Sequence, residues 1–403
     1  MSTDPVNELT FLCGGGLSVL ELQYCDVPFS EQAVSFCAEL SHRILTSQEA
    51  KQFPDLVTFA FYCRKANLEK LRGAIGHADN RLGWGSALHI APSNIPINFA
   101  YSFLFGLLAG NGNVVRVPTK SYAQITIFCG VVNELFRKTE YQVLAQSNAF
   151  VRFSRDAEFL HENIGNFDII LVWGGDNTVS DIRRLPRAPR SVEVAFADRY
   201  SFAVIGAQAV LDLNAEALQK LCSDFFNDTY LVDQNACSSP NLICWQGECS
   251  TVKSAKERFW SALQQYLETR YEVSAVQTID KQIRILKYLD QYISEMSIVN
   301  YGPAITVATM NEVCSANHEL KGIFGLFFEL ESVALEDVLA LVNKKYQTLS
   351  YFGVDSKAIN DTLFKQRCKG VDRIVPLGQA LDMGIVWDGY NLIHTLSRII
   401  TVI

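Results

Sequence analysis

The sequence predicts an α/β protein with largely parallel sheets, and three observations predict it. Short apolar runs bounded by Gly, Asn or Pro recur along the chain, as expected of strands buried on both faces. Helix-length apolar segments lie between them, so strand and helix alternate as in a doubly wound domain. Apolar residues are 49% and charged residues 19% of the 403 positions, a balance that offsets chain-ordering entropy and argues against long disorder. At roughly 150 residues per domain, the length predicts two or three units.

Taken in order, Gly14-Gly15-Gly16 reads as a turn, because no Lys-Ser or Lys-Thr pair follows it as a phosphate-binding P-loop requires. Val34, Cys37, Leu40 and Ile44 keep a helical period. Residues 88–90, 114–117, 169–173 and 202–205 read as buried strands, and residues 98–108 and 123–135 as helices between them. The uncharged stretch from Ile90 to Val115 is cut by Pro92, Asn94, Pro96, Asn98, Asn111 and Asn113, so it reads as a buried helix between loops rather than a membrane span. The alternation restarts after about residue 207: a helix at 215–226, a strand at 241–245, a helix marked by Ile285, Leu289, Ile293 and Met296, a strand at 304–309 and a helix at 335–342. The rhythm alone sets the domains at 1–206 and 207–384.

Forty-three acidic against 35 basic side chains give a net charge of −8, so no general cationic field is present to hold nucleic acid or anionic lipid. The start, Met1-Ser2-Thr3-Asp4-Pro5, lacks the basic and apolar segments of a secretion signal, and a cytoplasmic location is expected. Eleven cysteines are spread along the chain without a C-x-x-C spacing; most read as small buried hydrophobes, and no metal site is expected.

Three loops carry chemistry. Asp233-Gln234-Asn235-Ala236-Cys237-Ser238-Ser239-Pro240 is polar, turn-rich and immediately ahead of a buried strand. A loop exposes a thiol while the strand fixes it, and backbone N–H groups there can stabilise an oxyanion; the alternative is a packing cysteine. The second loop contains Pro92, Ser93 and Asn94 between strand and helix. Asn94 is either an oxyanion donor or a turn-capping amide, and Arg116 and Lys120 near the end of the next strand offer cations to phosphate. The third, Trp173-Gly174-Gly175-Asp176-Asn177-Thr178, lies between strand and helix, where a dinucleotide pyrophosphate is usually cradled, although it lacks the G-x-G-x-x-G fingerprint. Arg183, Arg184, Arg187 and Arg190 follow it and read either as phosphate ligands or as a solvated or subunit-contact loop.

These loops, in this order, resemble the aldehyde dehydrogenase superfamily, and more closely its LuxC-like fatty acyl-CoA reductase branch. The likeness runs from about Phe59 to the C-terminus and includes residues 61–67, 89–98, 107–118, 235–240, 347–353 and 387–390. It implies an aldehyde-dehydrogenase-like fold of two doubly wound α/β domains with the active site between them, the first domain completed by about residues 385–403. It places Cys237 at the superfamily's nucleophile and Asn94 at its oxyanion-binding amide. It assigns cofactor contacts to Pro92, Ser93, Arg116, Pro118, Thr119, Lys120, Gly174, Gly175 and Phe324.

The implied reaction is NADPH-dependent reduction of a fatty acyl thioester, on coenzyme A or a carrier protein, to the aldehyde through an acyl-cysteine. The cation at Lys120 favours the 2′-phosphate of NADP, with an ordinary solvated surface lysine as the alternative. Two departures bear on this. The family's usual Glu before Phe-Gly is Gly322 here and its Pro after them is Leu326. The position of the general base in hydrolytic relatives falls at Ala195 or a neighbour, with Glu193 two residues away on the same strand face. His89 and His394 are candidate proton carriers, with a packed core histidine as the alternative for each. The rival readings are a hydrolytic NAD(P)-dependent aldehyde dehydrogenase and a non-catalytic acyl-binding or scaffold subunit. A homo-oligomer is also implied, with residues 399–403 as a candidate edge strand, and an acyl-activating synthetase as a candidate partner.

Overall fold

The computed structural model describes residues 9–16, 24–76, 80–92, 95–154, 157–292, 296–310 and 317–402. The chain divides into two compact units, one made of Met1–Ala197 with Ile385–Ile403 and the other of Asp198–Gly384.

The first unit is built on β1 (Thr10–Gly14), β2 (Arg81–Gly83), β3 (Ser86–Ile90), β4 (Gly112–Arg116), β5 (Asn148–Arg152), β6 (Ile169–Trp173) and β7 (Val192–Phe196). Six of these form one sheet in the order β1-β5-β4-β3-β6-β7. β1 pairs antiparallel with β5 and all other neighbours are parallel. Every residue of β4 and β6 is buried; β6 accordingly appears in the sequence as an unbroken apolar run, whereas β4 buries Asn113 and Arg116 beside its valines. The helix Asn98–Leu108 carries no charge and buries all but one of its residues. The helix Glu31–Thr46 starts where the Ser30 hydroxyl accepts from the Ala33 N–H, and it turns Phe36, Cys37, Leu40 and Ile44 inward. The predicted turn at Gly14-Gly15-Gly16 begins at the last residue of β1, and Gly15 N–H donates to Asn148 O.

The second unit is built on β8 (Tyr200–Gly206), β9 (Pro240–Gln246), β10 (Met296–Asn300), β11 (Thr306–Met310), β12 (Leu326–Leu330), β13 (Tyr346–Phe352) and β14 (Arg373–Pro376). These make a seven-stranded sheet in the order β10-β11-β12-β9-β8-β13-β14, parallel except for β10 with β11. Alternation along β8 feeds two cores. Ala203 and Ile205 join a cluster with Phe225, Trp245, Phe259 and Trp260, while Tyr200, Phe202 and Val204 join one with Phe328, Leu339 and Leu349.

The predicted boundary near 206 moves to 197/198, because residues 202–205 pair with β9 and β13 and so belong to the second sheet. Apolar periodicity identifies a buried strand but not the sheet it joins. Met296, predicted as helical, opens β10 after the helix Ala275–Tyr292; Ile293 lies outside the described residues. After the second unit the chain forms β15 (Val386–Trp387), β16 (Tyr390–Asn391) and β17 (Ser397–Ile399). β17 pairs antiparallel with β2 of the same chain, so the C-terminal strand lies at 397–399 rather than 399–403. No described helix is long and apolar enough to cross a membrane.

Candidate active site

The Cys237 thiol is exposed, on a loop that leads directly into the buried strand β9. The loop is tightly held around that exposed point. Ser201, itself fully buried on β8, donates its hydroxyl to Cys237 O at 2.7 Å and accepts from Thr348 N–H at 3.1 Å. Asn235 N–H donates to Val232 O, and Ser239 N–H to Ala236 O. Asp233 and Gln234 both have left-handed backbones, with φ of 52° and 62°, conformations that favour glycine. Tyr271 OH donates to the Asp233 carboxylate. The Gln234 carboxamide is buried and reaches the segment from Gly322 to Leu326. Phe324 in that segment is partly exposed, and its carbonyl accepts from Lys281 Nζ. Composition and spacing pointed to Cys237 and not to Ser201, Gln234 or Lys281, whose partners are remote in sequence; for Gln234 the polar loop around it was the only signal.

In the first unit the predicted cofactor residues follow the C-terminal ends of parallel strands, where ligands of open α/β sheets bind. Pro92 follows β3 and is partly exposed; Ser93 and Asn94 lie outside the described residues. Pro118 is buried, whereas Thr119 and Lys120, just after β4, are exposed, with Lys120 Nζ 5.1 Å from the Tyr122 ring centre. Gly174 and Gly175 follow β6 and open the helix Asp176–Arg183, whose first-turn N–H groups lie at its start. Trp173 just before them is fixed: its ring stacks on Phe196 at 3.7 Å and its indole N–H donates to Ser102 Oγ at 2.9 Å.

Arg116 does not stand at the surface as a phosphate ligand would. It is 9% exposed, its Nε donates to Phe153 O at 2.9 Å, and its guanidinium lies over the Phe153 ring. His89 is a packed core histidine: it is fully buried, bonded to Ser102 and Asn113, and desolvation pushes its pKa down to about 4, against the pull of the Asn113 bond. Part of the arginine cluster has a structural partner too. Arg183 Nε donates to Glu193 at 2.7 Å and Arg187 Nη1 donates to the other carboxylate oxygen. Both Glu193 carboxylate oxygens are thereby engaged by guanidiniums, and Ala195 two residues on packs against the apolar cluster of Ile170 and Val172.

A family model described as acyl-CoA reductase (LuxC) matches residues 65–401. This chain belongs to the acyl-CoA reductase (LuxC) family. It is 23% identical over 309 residues to a long-chain acyl-protein thioester reductase of Vibrio harveyi, a match covering 73% of this chain and 58% of that protein. The chain therefore spans little more than half the length of the curated relative. Solved structures with a similar fold are aldehyde dehydrogenases. An NAD-dependent aldehyde dehydrogenase from Sinorhizobium meliloti has a TM-score of 0.63 at 14% identity, over 92% of this chain and 82% of that one. Aldehyde dehydrogenase 21 from Physcomitrella patens gives 0.62 at 13%, over 96% and 86%, and lactaldehyde dehydrogenase from Escherichia coli 0.62 at 12%, over 94% and 86%. The acyl-CoA reductase family membership thus comes with an aldehyde-dehydrogenase fold.

Proposed function

We propose that this chain reduces a fatty acyl thioester, carried by coenzyme A or a carrier protein, to the aldehyde with NADPH as reductant, through an acyl group held on Cys237. The observation that carries this reading is the exposed Cys237 thiol on a braced loop ahead of β9 in a member of the acyl-CoA reductase family. In this reading the second unit supplies the nucleophile and the first unit holds the nucleotide.

The Cys237 thiolate attacks the thioester carbonyl carbon. The new C–S bond to Cys237 forms as the bond to the carrier sulfur breaks, and the carrier leaves as its thiolate. Asn94 and the Cys237 backbone N–H are the proposed oxyanion donors. The strand-end loops fit a nicotinamide dinucleotide: Gly174 and Gly175 open a helix N-terminus, and Thr119 and Lys120 present an exposed hydroxyl and cation. Pro92, Ser93, Pro118 and Phe324 complete the proposed contacts. Arg116 would serve by bracing its loop from beneath, given its bond to Phe153 O. Bound NADPH supplies the hydride that converts the acyl carbon to the aldehyde carbon. Cys237 then departs as thiolate, ready for another acyl group.

Release by water needs a general base, and the arrangement around β7 offers none in the expected place. Ala195 has no titratable group and Glu193 is neutralised by two guanidiniums, so abstracting a proton would mean giving up both ion pairs. This favours reduction over hydrolysis. Mass spectrometry after mixing with an acyl-CoA series tests the reading. An acyl adduct on the Cys237 peptide, discharged as aldehyde by NADPH and absent in Cys237→Ala, is expected. No adduct overturns the assignment, and free acid formed from aldehyde and NADP without a thiol acceptor replaces it with the hydrolytic one.

A further inference from the structure

The segment from Gly322 to Leu326 is gripped by one side chain from the cysteine loop, and the grip is built for that side chain. Gln234 is 5% exposed. Its Oε1 accepts from Gly325 N–H at 3.2 Å, and its Nε2 donates to Leu326 O at 3.1 Å and to Pro240 O at 3.4 Å. The carboxamide therefore joins the two residues after Phe324 to Pro240, the first residue of the strand that follows Cys237. It fits because position 322 has no side chain: a Cβ there would lie 2.9 Å from Gln234 Nε2 and 1.8 Å from Leu326 O. Gly325 is equally constrained, with φ of 81° and a Cβ position only 1.7 Å from Ala304 O. A second buried residue holds the same turn from the helix Ala275–Tyr292. Lys281, 2% exposed, donates to Phe324 O at 3.2 Å and to Pro303 O at 2.5 Å.

The backbone at Gln234 shows that the side chain, not the turn, explains the residue. At φ of 62° glycine would be easier to accommodate. A glutamine kept in a left-handed conformation needs a compensating contact, and the three amide bonds are that contact.

We propose that Gln234 is a positioning residue that fixes the Phe324 segment relative to the Cys237 loop, aligning the cysteine-bound acyl carbon for reduction while leaving its acylation unaffected. This rests on the acyl-cysteine reading and adds a division of labour to it: Ser201 holds the nucleophile's own carbonyl, and Gln234 registers the neighbouring segment to it. Misplacement of a reacting group by about 1 Å can cost on the order of a hundredfold in rate, so loss of the amide should be visible in one half-reaction only.

The test compares wild-type enzyme with Gln234→Met, which keeps bulk without the hydrogen bonds, and Gln234→Gly, which loses the amide but eases the left-handed backbone. Each is assayed for carrier release and adduct formation on Cys237 without nucleotide, for discharge of that adduct by NADPH, and for iodoacetamide alkylation of Cys237 with and without NADP. The expected result is acylation within about threefold of wild type, discharge slowed by about tenfold or more in both variants, and an NADP effect on alkylation that is present in wild type and lost in both. Equal slowing of both half-reactions, or wild-type discharge by either variant, overturns the proposal. If wild type forms no adduct, the functional reading fails instead, and the alkylation arm still decides whether Gln234 couples the two segments: an NADP effect unchanged in the variants, or absent in wild type, overturns that as well. Gln234→Gly guards against misfolding, since its thermal midpoint should fall less than that of Gln234→Met.

Discussion

Each unit buries a polar network in its core, and the two networks are of opposite kinds. In the first unit every member is neutral. Trp173 Nε1 donates to Ser102 Oγ, Ser102 bonds His89 Nδ1 at 2.7 Å, and His89 Nε2 bonds Asn113 Oδ1 at 2.9 Å. Asn113 continues the run by donating to Asn148 Oδ1 and Asn111 O. Asn113 Oδ1 can only accept and Ser102 already accepts from Trp173, so the imidazole proton is assigned to Nε2. In the second unit the core holds an ion. Glu329, fully buried on β12, accepts from Trp245 Nε1 and Trp260 Nε1, both at 2.7 Å, and pairs with Lys256, which also reaches Glu331. Burial pushes the Glu329 carboxyl up while Lys256 and the two indoles pull it down. The lesson is that the same task, tying parallel strands together at depth, is met once without charge and once with charge that must stay matched.

The largest expected effect breaks the charged network. Lys256→Met leaves Glu329 without its buried counter-ion and should destabilise the second unit by about 3–5 kcal/mol, read by urea unfolding followed through Trp245 and Trp260. Replacing the pair together, Lys256→Met with Glu329→Leu, should recover much of that loss; a double variant as unstable as the single would show that the charge is not the issue.

Next come two titrations of opposite sign. Asp228 is buried and accepts from Gly378 and Ala380 N–H, yet desolvation pushes its pKa up to about 7, despite those bonds. The folded state then holds a proton that the unfolded chain has released. The Asp228 contribution is complete below pH 3.8 and is lost as pH rises through about 7. The window implies a change on the order of 4 kcal/mol, and Asp228→Asn should flatten that part of the profile. His89 acts the other way. Its depressed pKa means that its contribution is present above pH 6.5 and lost as pH falls through about 4, a change on the order of 3 kcal/mol. Hydrogen exchange, corrected for intrinsic rates, should show the first unit loosening on acidification, and His89→Gln should reduce that trend.

The smallest effect sharpens the neutral side. Gly106 packs over His89 and Asn113, and a Cβ there would lie 2.1 Å from Asn113 Oδ1 and 2.8 Å from the His89 ring. Gly106→Ala should destabilise by about 1–3 kcal/mol through overpacking, despite alanine's better helix propensity. A thermal midpoint at or above wild type would mean that the network can move aside.

Much of the fold was legible where burial is continuous. β6 and the helix Asn98–Leu108 have the bounds the sequence predicts, because unbroken apolar runs between Gly, Asn and Pro leave little latitude. β12 through β14 and the helix Cys249–Leu267 have no counterpart in the sequence reading, although Val252, Ala255, Phe259, Leu263 and Leu267 keep the helical period with Lys256 as the one polar residue of the buried stripe. At the candidate site, Cys237 was visible because a thiol in a polar loop ahead of a buried strand is a local pattern. The fit of Gln234 to Gly322 was not, since it depends on segments far apart in sequence meeting at a clash-limited distance. Arg116 shows the converse: its place near a strand end was clear, but its burial against Phe153 was not.

The route of the chain has a consequence for biosynthesis. The first unit is interrupted after Ala197 and resumes only at Ile385. Its closing contacts come from residues made only after the whole second unit: Arg81 donates to His394 O and Ser397 O, and Asn111, fully buried, donates to Leu396 O. Until residues 396–399 emerge, the nascent chain carries an Asn111 amide and a strand β2 awaiting their partners, whereas all seven strands of the second sheet have already been made. The unit begun before the second is therefore finished after it, and a lesion that removes residues 385–403 would strike a unit whose sheet is encoded before residue 198.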